Sequence, residues 1–127
     1  MSTIQYNSKG QYHGTCQLKA WIVLYENGVP ISATLNDGTV IKPDKNTEIT
    51  DNWIFFRNDA GLYHREDGPA VIWSNGDKEW CINNKLHRED GPAFIDSNGD
   101  KSWWLNDIHY GDSDEPPEEY LEVLSKL

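Results

Sequence analysis

The chain has 127 residues and a formal net charge of −10, with 21 acidic side chains against 11 basic ones. Nucleic-acid binding and attachment to anionic membranes need clustered Lys and Arg, so this balance excludes both. The two cysteines, Cys16 and Cys81, lack the spacing of a metal site or a disulfide framework. No apolar run reaches membrane-spanning length and the N-terminus lacks a charged leader. We therefore predict a cytoplasmic protein without a metal or other cofactor.

Residues 1–51 predict a diverged β half of the chain. Strand-forming residues and turn signals place strands at 16–26, 29–35 and 38–42. The sequence Asn-Asp-Gly at 36–38 predicts a hairpin turn between the last two strands. The polar residues 43–51 are predicted to form a loop, which separates this half from the rest of the chain without making a second domain.

A repeat dominates residues 52–112. Residues 64–86 and 87–109 share 15 identities in 23 positions, and each copy begins with the string His-Arg-Glu-Asp-Gly-Pro-Ala. A fixed period of this length is typical of an array in which each unit buries its apolar face against the next. The copies therefore predict tandem structural units of about 23 residues each.

Each copy reads as a β-hairpin. Asn75-Gly76 predicts a type I′ turn, in which both central residues need positive φ. The strand after it, residues 78–83, alternates, which places Trp80 and Ile82 on the buried face and Cys81 on the other. Asp-Gly-Pro then reverses the chain, because Gly permits unusual φ values and Pro cannot donate to a sheet. Tandem copies predict an antiparallel meander.

Residues 113–127 change character and predict a short amphipathic helix. Pro116, Pro117 and the acidic residues beside them are helix-start signals. The apolar residues that recur at helical spacing are Tyr120, Val123, Leu124 and Leu127. In a repeat array such an element covers the last open edge or face. The chain is thus predicted as a single, mainly β domain, an antiparallel meander of tandem β-hairpin repeats with a C-terminal α-helix.

The aromatic strand, the Asn-Gly turn and the His-Arg-x-Asp-Gly-Pro-Ala string of residues 52–112 resemble a repeat in small proteins of phages and large viruses. The string is similar, more distantly, to the MORN repeat, which implies hairpins stacked into one extended sheet. The Gly-x-Gly pair of the MORN repeat is absent here, so a lipid-binding or scaffold role is not implied. The resemblance implies a viral origin, and hence the cytoplasm of a host cell, but no particular activity.

The two copies differ at positions that suggest a binding surface. Trp73 in the first copy is replaced by Asp96 in the second, which is typical of a solvent-facing position. Trp104 falls on the opposite face from Trp103, and exposed Trp is enriched in binding hot spots. The predicted binding residues, which form an acidic and aromatic-rich surface, are Trp73, Trp104, Asp96, Asp100, Asp112 and Asp114.

The repeated basic residues support an alternative site. His64, Arg65, His87 and Arg88 are the candidate ligands of a phosphorylated small molecule, because guanidinium groups fork onto phosphates. In the other interpretation each Arg pairs with the Asp two residues later and ties its turn, and each His bonds to a neighbouring turn. A shared metal ion is excluded, since equivalent residues lie about 9–10 Å apart, two strand spacings.

No catalytic motif stands out, and a repeat multiplies groups of which an enzyme needs one set. We therefore predict a non-enzymatic protein-interaction module, a phage-type inhibitor of a host defence protein with a basic, nucleic-acid-binding surface. The alternatives are a sponge that sequesters a nucleotide signal through the repeated Arg and His, and a purely structural repeat protein. An open sheet edge also permits a homodimer.

Overall fold

A computed structural model describes residues 5–6 and 10–127 of the chain. In these residues the protein is mainly β, with antiparallel strand pairs and a C-terminal helix, so the predicted fold class is confirmed. The chain divides into two compact units, one of Met1–Lys45 with Thr50–Asn52 and one of Asn46–Ile49 with Trp53–Leu127. The single domain stays a prediction.

The first unit is a five-stranded antiparallel sheet, in which the strands follow one another in chain order. Its strands are β1 Gln5–Tyr6, β2 Tyr12–Gln17, β3 Trp21–Glu26, β4 Val29–Leu35 and β5 Val40–Ile41. Trp21, Val23, Ala33 and Ile41 are buried and form its core. The Trp21 indole N–H donates to the Thr50 carbonyl oxygen at 3.0 Å, which ties residues 50–52 to this sheet.

The predicted strand 16–26 is wrong, because the chain turns in the middle of it. Leu18 donates its N–H to the Trp21 carbonyl oxygen at 2.8 Å, and Lys19 donates to the Asp51 carboxylate at 2.6 Å. The apolar residues on both sides of this turn belong to different strands, β2 and β3, which pair with each other.

Two other predictions in this region differ in their bounds. The strand 29–35 matches β4, but the strand 38–42 shrinks to β5. Gly38 and Thr39 belong to the turn instead, which closes where the Leu35 N–H donates to the Thr39 carbonyl oxygen at 2.9 Å. The loop 43–51 contains a short strand, since residues 48–49 pair with the second unit's sheet.

The second unit contains a seven-stranded antiparallel sheet in the order β14-β13-β12-β9-β8-β7-β6, and a small hairpin of β10 and β11. The elements are β6 Glu48–Ile49, β7 Trp53–Phe55, β8 Val71–Trp73, β9 Lys78–Glu79, β10 Cys81–Ile82, β11 Lys85–Leu86, β12 Phe94–Ile95, β13 Lys101–Leu105, β14 Ile108–Gly111 and α1 Glu118–Leu124. The tandem hairpins thus form a meander, as the repeat predicts.

The strand register assigns the aromatic residues to two faces of this sheet. Glu79 lies opposite both Val71 and Phe94, and directly opposed residues share a face. Phe94 in turn lies opposite Ser102. Trp73 and Trp104, each two residues further along its strand, therefore lie on this same side, which we call the aromatic face. Trp103 lies on the other side, which we call the helix face because α1 packs there.

The type I′ turn predicted at Asn75-Gly76 is wrong. Only Gly76 of that pair has positive φ (104°), and the turn is a three-residue loop closed by Trp73 and Asp77. Such a loop is a type I turn followed by a left-handed Gly. Within residues 10–127, the two-residue turns with positive φ at both positions are Asn27-Gly28, Asn83-Asn84 and Asn106-Asp107.

The predicted strand 78–83 is interrupted at Trp80. Its N–H donates to the Ala93 carbonyl oxygen (2.7 Å) and its own carbonyl oxygen accepts the His87 N–H (3.0 Å), so the chain leaves one pairing and enters another. The burial within this segment is also reversed. Cys81 is buried, whereas Trp80 and Ile82 are half-buried.

The C-terminal helix is shorter than residues 113–127. Pro117 precedes α1 without a side-chain cap, and Glu118 and Glu119 lie in its first turn. Tyr120 is buried against Trp103 and Leu105, while Leu127 lies beyond the helix and is exposed. The helix therefore covers the last repeat from one face.

Among the residues described, no helix has the length and apolarity that crossing a bilayer requires.

Candidate functional site

The arginine of each repeat folds back over its own Asp-Gly-Pro turn. In the first copy, the Arg65 guanidinium donates from Nε to the Asp67 carboxylate (2.9 Å) and from Nη1 to the Pro69 carbonyl oxygen (3.1 Å). Its Cζ lies 4.1 Å from the centre of the Phe56 ring. A Cβ added to Gly68 would lie 2.8 Å from that Cζ, so the guanidinium is sandwiched between a ring and a glycine.

The second copy repeats this geometry. Arg88 donates to the Asp90 carboxylate (2.9 Å) and to the Pro92 carbonyl oxygen (3.0 Å), with Cζ 4.0 Å from the Trp80 ring centre. A Cβ on Gly91 would lie 2.6 Å from Cζ. These contacts explain why Arg, Asp, Gly and Pro recur together. The string encodes a turn tied by its own arginine, as the structural interpretation predicts. The sequence did not predict that the same arginine also covers an aromatic ring.

A groove of about 710 Å³ lies between the two arginine turns. Besides the two guanidiniums it is lined by four carboxylates, those of Glu66, Asp67, Glu89 and Asp90. A phosphate in the groove would meet these carboxylates, and two donors of each guanidinium are already engaged. The nucleotide-sponge hypothesis stays a prediction, and the charge of the groove is unfavourable to it.

The repeated histidines bond to turns. His64 Nδ1 accepts the Asn83 N–H at 3.2 Å, and His87 Nδ1 accepts the Asn106 N–H at 3.1 Å. His87 Nε2 also lies 2.9 Å from the Glu89 carboxylate. Each His thus caps the first residue of the following type I′ turn. In residues 5–6 and 10–127, no three His, Cys, Asp or Glu side chains converge as metal ligands.

The predicted acidic residues gather at one end of the sheet and have local partners there. Asp96 accepts the N–H groups of Asn98 (2.9 Å) and Asp100 (3.0 Å), which caps its own turn. In the first copy the Asn75 side chain accepts the equivalent N–H, that of Asp77. The turn therefore does not need an Asp at position 73, the equivalent of Asp96, and Trp can occupy it. The Asp114 carboxylate lies 3.6 Å from the Lys101 ammonium group.

Trp104 and Asp112 are linked through His109. The Trp104 and His109 ring centres lie 4.7 Å apart, and His109 Nε2 lies 2.6 Å from the Asp112 carboxylate. Hydrogen bonds from Ser102 and His109 lower the pKa of Asp112. Trp73 lies elsewhere on the aromatic face, so the structure does not bring all six predicted residues to one place.

The replacement of Trp73 by Asp96 in the second copy suggested a solvent-facing position. In the structure Trp73 is instead half-buried in a group of rings. Its indole N–H donates to the Glu79 carboxylate at 2.8 Å. The Phe55 ring centre lies 5.6 Å away, and Tyr63 lies 5.0 Å from Phe55. These rings line an open cavity of about 330 Å³, which we call the aromatic cavity. Its walls are Phe55, Tyr63, Trp73 and Cys81, with the carboxylates of Glu79 and Asp107.

The electrostatics of the aromatic cavity favour cations. Burial, and then the charges of Glu79 and Asp107, raise the pKa of the Cys81 thiol to about 12. Glu79 and Asp107 each use one oxygen for a hydrogen bond, to Trp73 and to the Leu86 N–H, and each has a second oxygen. Beside the cavity, the Arg57 guanidinium lies 5.3 Å from the Phe55 ring centre and 5.1 Å from that of Tyr63. This guanidinium also lies 3.8 Å from the Glu48 carboxylate, so the rings together with that carboxylate already hold one cation of the chain itself.

The sequence interpretation found Trp73 but missed Phe55, Tyr63, Glu79 and Asp107. The alternation of Trp53, Phe55 and Arg57 was a usable signal, since residues two apart in a strand share a face. The contribution of Asp107 depends on the type I′ turn that places it beside Leu86.

Neither a protein-family model nor a curated protein nor a solved structure matches the chain. The resemblance to phage and viral repeat proteins stays a prediction.

Proposed function

We propose that the protein is a non-enzymatic interaction module that binds a basic segment of another protein at the aromatic cavity. The observation that carries this proposal is the meeting of three rings with two carboxylates, those of Glu79 and Asp107, around one open cavity. An Arg or Lys side chain entering it would contact ring faces and a carboxylate together. The net charge of −10 attracts such a segment from a distance.

The resemblance to phage repeat proteins suggests a host protein as the partner. A basic surface that binds nucleic acid matches the charge of the cavity, and occupying that surface would inhibit a defence nuclease. This specific form of the proposal rests on the resemblance, whereas cation binding rests on the geometry of Phe55, Tyr63 and Trp73.

The test is calorimetric titration at about 0.15 M salt, where charges more than about 8 Å apart are screened. The probe is a capped peptide of alternating Arg and Gly, and its control is the same peptide with neutral citrulline for each Arg. We expect the Arg peptide to bind and the citrulline peptide to bind at least tenfold more weakly, since a desolvated cation–ring contact contributes about 2 kcal/mol or more and tenfold corresponds to about 1.4 kcal/mol.

Matched charge variants locate the site. The double variant Glu79→Gln, Asp107→Asn removes two charges from the cavity. Asn at position 107 can keep the hydrogen bond to Leu86, because Asn84 forms the same bond with Tyr63 at the equivalent turn position. The pair Asp100→Asn with Asp114→Asn removes the same charge from the acidic end of the sheet. Only the cavity pair is expected to weaken binding. Weaker binding from the Asp100 and Asp114 pair alone would move the site to that end.

A further inference from the structure

Successive repeats are joined by the same hydrogen bonds at their type I′ turns. Asn84 donates its N–H to the Tyr63 carbonyl oxygen (2.9 Å), and its side-chain oxygen accepts the Tyr63 N–H (2.6 Å). One repeat later, Asp107 forms the same two bonds with Leu86, at 2.9 and 2.7 Å. The second residue of each turn therefore attaches its hairpin to the outer edge of the preceding hairpin.

His109 is the third residue of this series. It lies 23 positions after Leu86 and, like Leu86, second after a type I′ turn. Leu105 and Ile108 flank that turn as its hydrogen-bonded pair, so the N–H and C=O of His109 point away from β13. Strand β14 is the last of the seven-stranded sheet, and no turn within the described chain bonds to this residue's backbone. Ile108 beside it is 57% exposed.

A second observation concerns Trp104, which lies directly opposite His109. Its indole N–H is buried and has no acceptor among the residues that the structure describes. In the preceding repeat the equivalent position is Cys81, which lines the aromatic cavity together with the attaching residue Asp107. An Asn or Asp attached at His109 would therefore come to the side of the sheet where Trp104 lacks an acceptor.

We propose that the outer edge of β14 binds a β-hairpin of a partner protein, whose type I′ turn carries Asn or Asp at its second position. The partner's turn residue donates its backbone N–H to the His109 carbonyl oxygen, and its side-chain oxygen accepts the His109 N–H. The array itself shows this attachment twice, at Tyr63 and at Leu86. In the inner repeats a His side chain also accepts the N–H of the first turn residue, as His87 does from Asn106. This bond has no counterpart at β14, because the position equivalent to His87 is Tyr110. This proposal is independent of the aromatic cavity.

The test uses the full chain and a cyclic peptide that holds residues 101–111 of this sequence as a hairpin. We expect the peptide to bind and to slow amide exchange at His109. The control peptide has Gly in place of the turn Asp, which keeps positive φ and removes the acceptor. It should bind about tenfold more weakly, the effect of one hydrogen bond.

Three variants of the chain make the edge specific. His109→Ala keeps the N–H and should bind as the wild type does. His109→Pro removes an N–H that points outward, so the chain should fold normally and lose binding of the peptide. Ile108→Pro removes an N–H within the sheet and should lower the melting temperature. The proposal is overturned if both peptides bind equally, if His109→Pro unfolds the chain, or if His109 exchange is already slowed by self-association.

Discussion

The inner repeats and the C-terminal end of the array cover their aromatic rings in different ways. Phe56 lies under Arg65 and Trp80 lies under Arg88. Trp103, which comes one period after Trp80, has Gly111 where the repeat has its arginine. Tyr120 of α1 covers it instead, with ring centres 5.0 Å apart at 67°. The comparison shows that the repeated arginine covers a ring, and that a helix replaces it where the string ends.

The largest effect is expected at the helix cover. Tyr120→Ala should lower the free energy of unfolding by about 3–5 kcal/mol, as for other buried rings, because it uncovers Trp103 and leaves a cavity. Urea unfolding measures this, and Leu121→Ala on the exposed side of α1 is the control, with a change below about 1 kcal/mol. Similar losses in both variants would mean that α1 does not depend on its buried ring.

The arginine covers should matter less. Arg88→Met keeps the aliphatic stem over Trp80 and removes the bonds to Asp90 and to the Pro92 carbonyl oxygen. We expect a loss of about 2 kcal/mol, since hydrogen bonds to charged groups contribute about 1.5–3 kcal/mol and are partly solvated here. Arg65→Met should cost slightly less, because Phe is a weaker cation–π partner than Trp. Unchanged unfolding curves in both variants would contradict a structural role.

The glycine under each guanidinium gives a sharper test. Gly91→Ala should cost about 1–2 kcal/mol, because its Cβ would displace the guanidinium of Arg88 from its partners. In an Arg88→Ala background the same substitution should cost almost nothing. Gly99→Ala is the contrast, since it meets no atom within 4 Å and carries only the cost of φ +86° in both backgrounds. Additive effects of Gly91→Ala and Arg88→Ala would show that the two residues do not interact.

Cys81, which the next copy replaces by Trp104, has the smallest effect at neutral pH, because its thiol changes the free energy of unfolding only in alkaline solution. The folded chain holds the Cys81 proton up to about pH 12, whereas an unfolded thiol releases it near its ordinary pKa of 9.0. The unfolded state therefore binds fewer protons between these values, and stability falls as the pH rises through them. Cys81→Ala should show a shallower fall in urea titrations above pH 9. An equal slope would mean that the thiol titrates normally.

The repeat made the hairpins and the meander predictable, because tandem copies of one string have equivalent neighbours and so form the same unit. The turn types were not predictable from Asn75-Gly76, since Asn-Gly fits a type I′ turn and also a type I turn with a left-handed Gly. The ends of β8 and β9 decide between these two turn types. The positions of those ends depend on how β8 pairs with β7 and β9 pairs with β12. The aromatic cavity was hidden for the same reason. Its residues come from β7, β8, β9, β10, the segment that holds Tyr63 and a turn one repeat later, and only the register brings them together.

The most direct test monitors the six Trp indole N–H signals by NMR while the Arg-Gly peptide is added to the full chain. If the repeated arginines are structural and the aromatic cavity binds cations, the Trp73 indole signal should shift with the peptide. The Trp80 signal, from the ring under Arg88, should stay where it is. A shift of Trp80 with an unchanged Trp73 would contradict this assignment and return the binding site to the repeated turns.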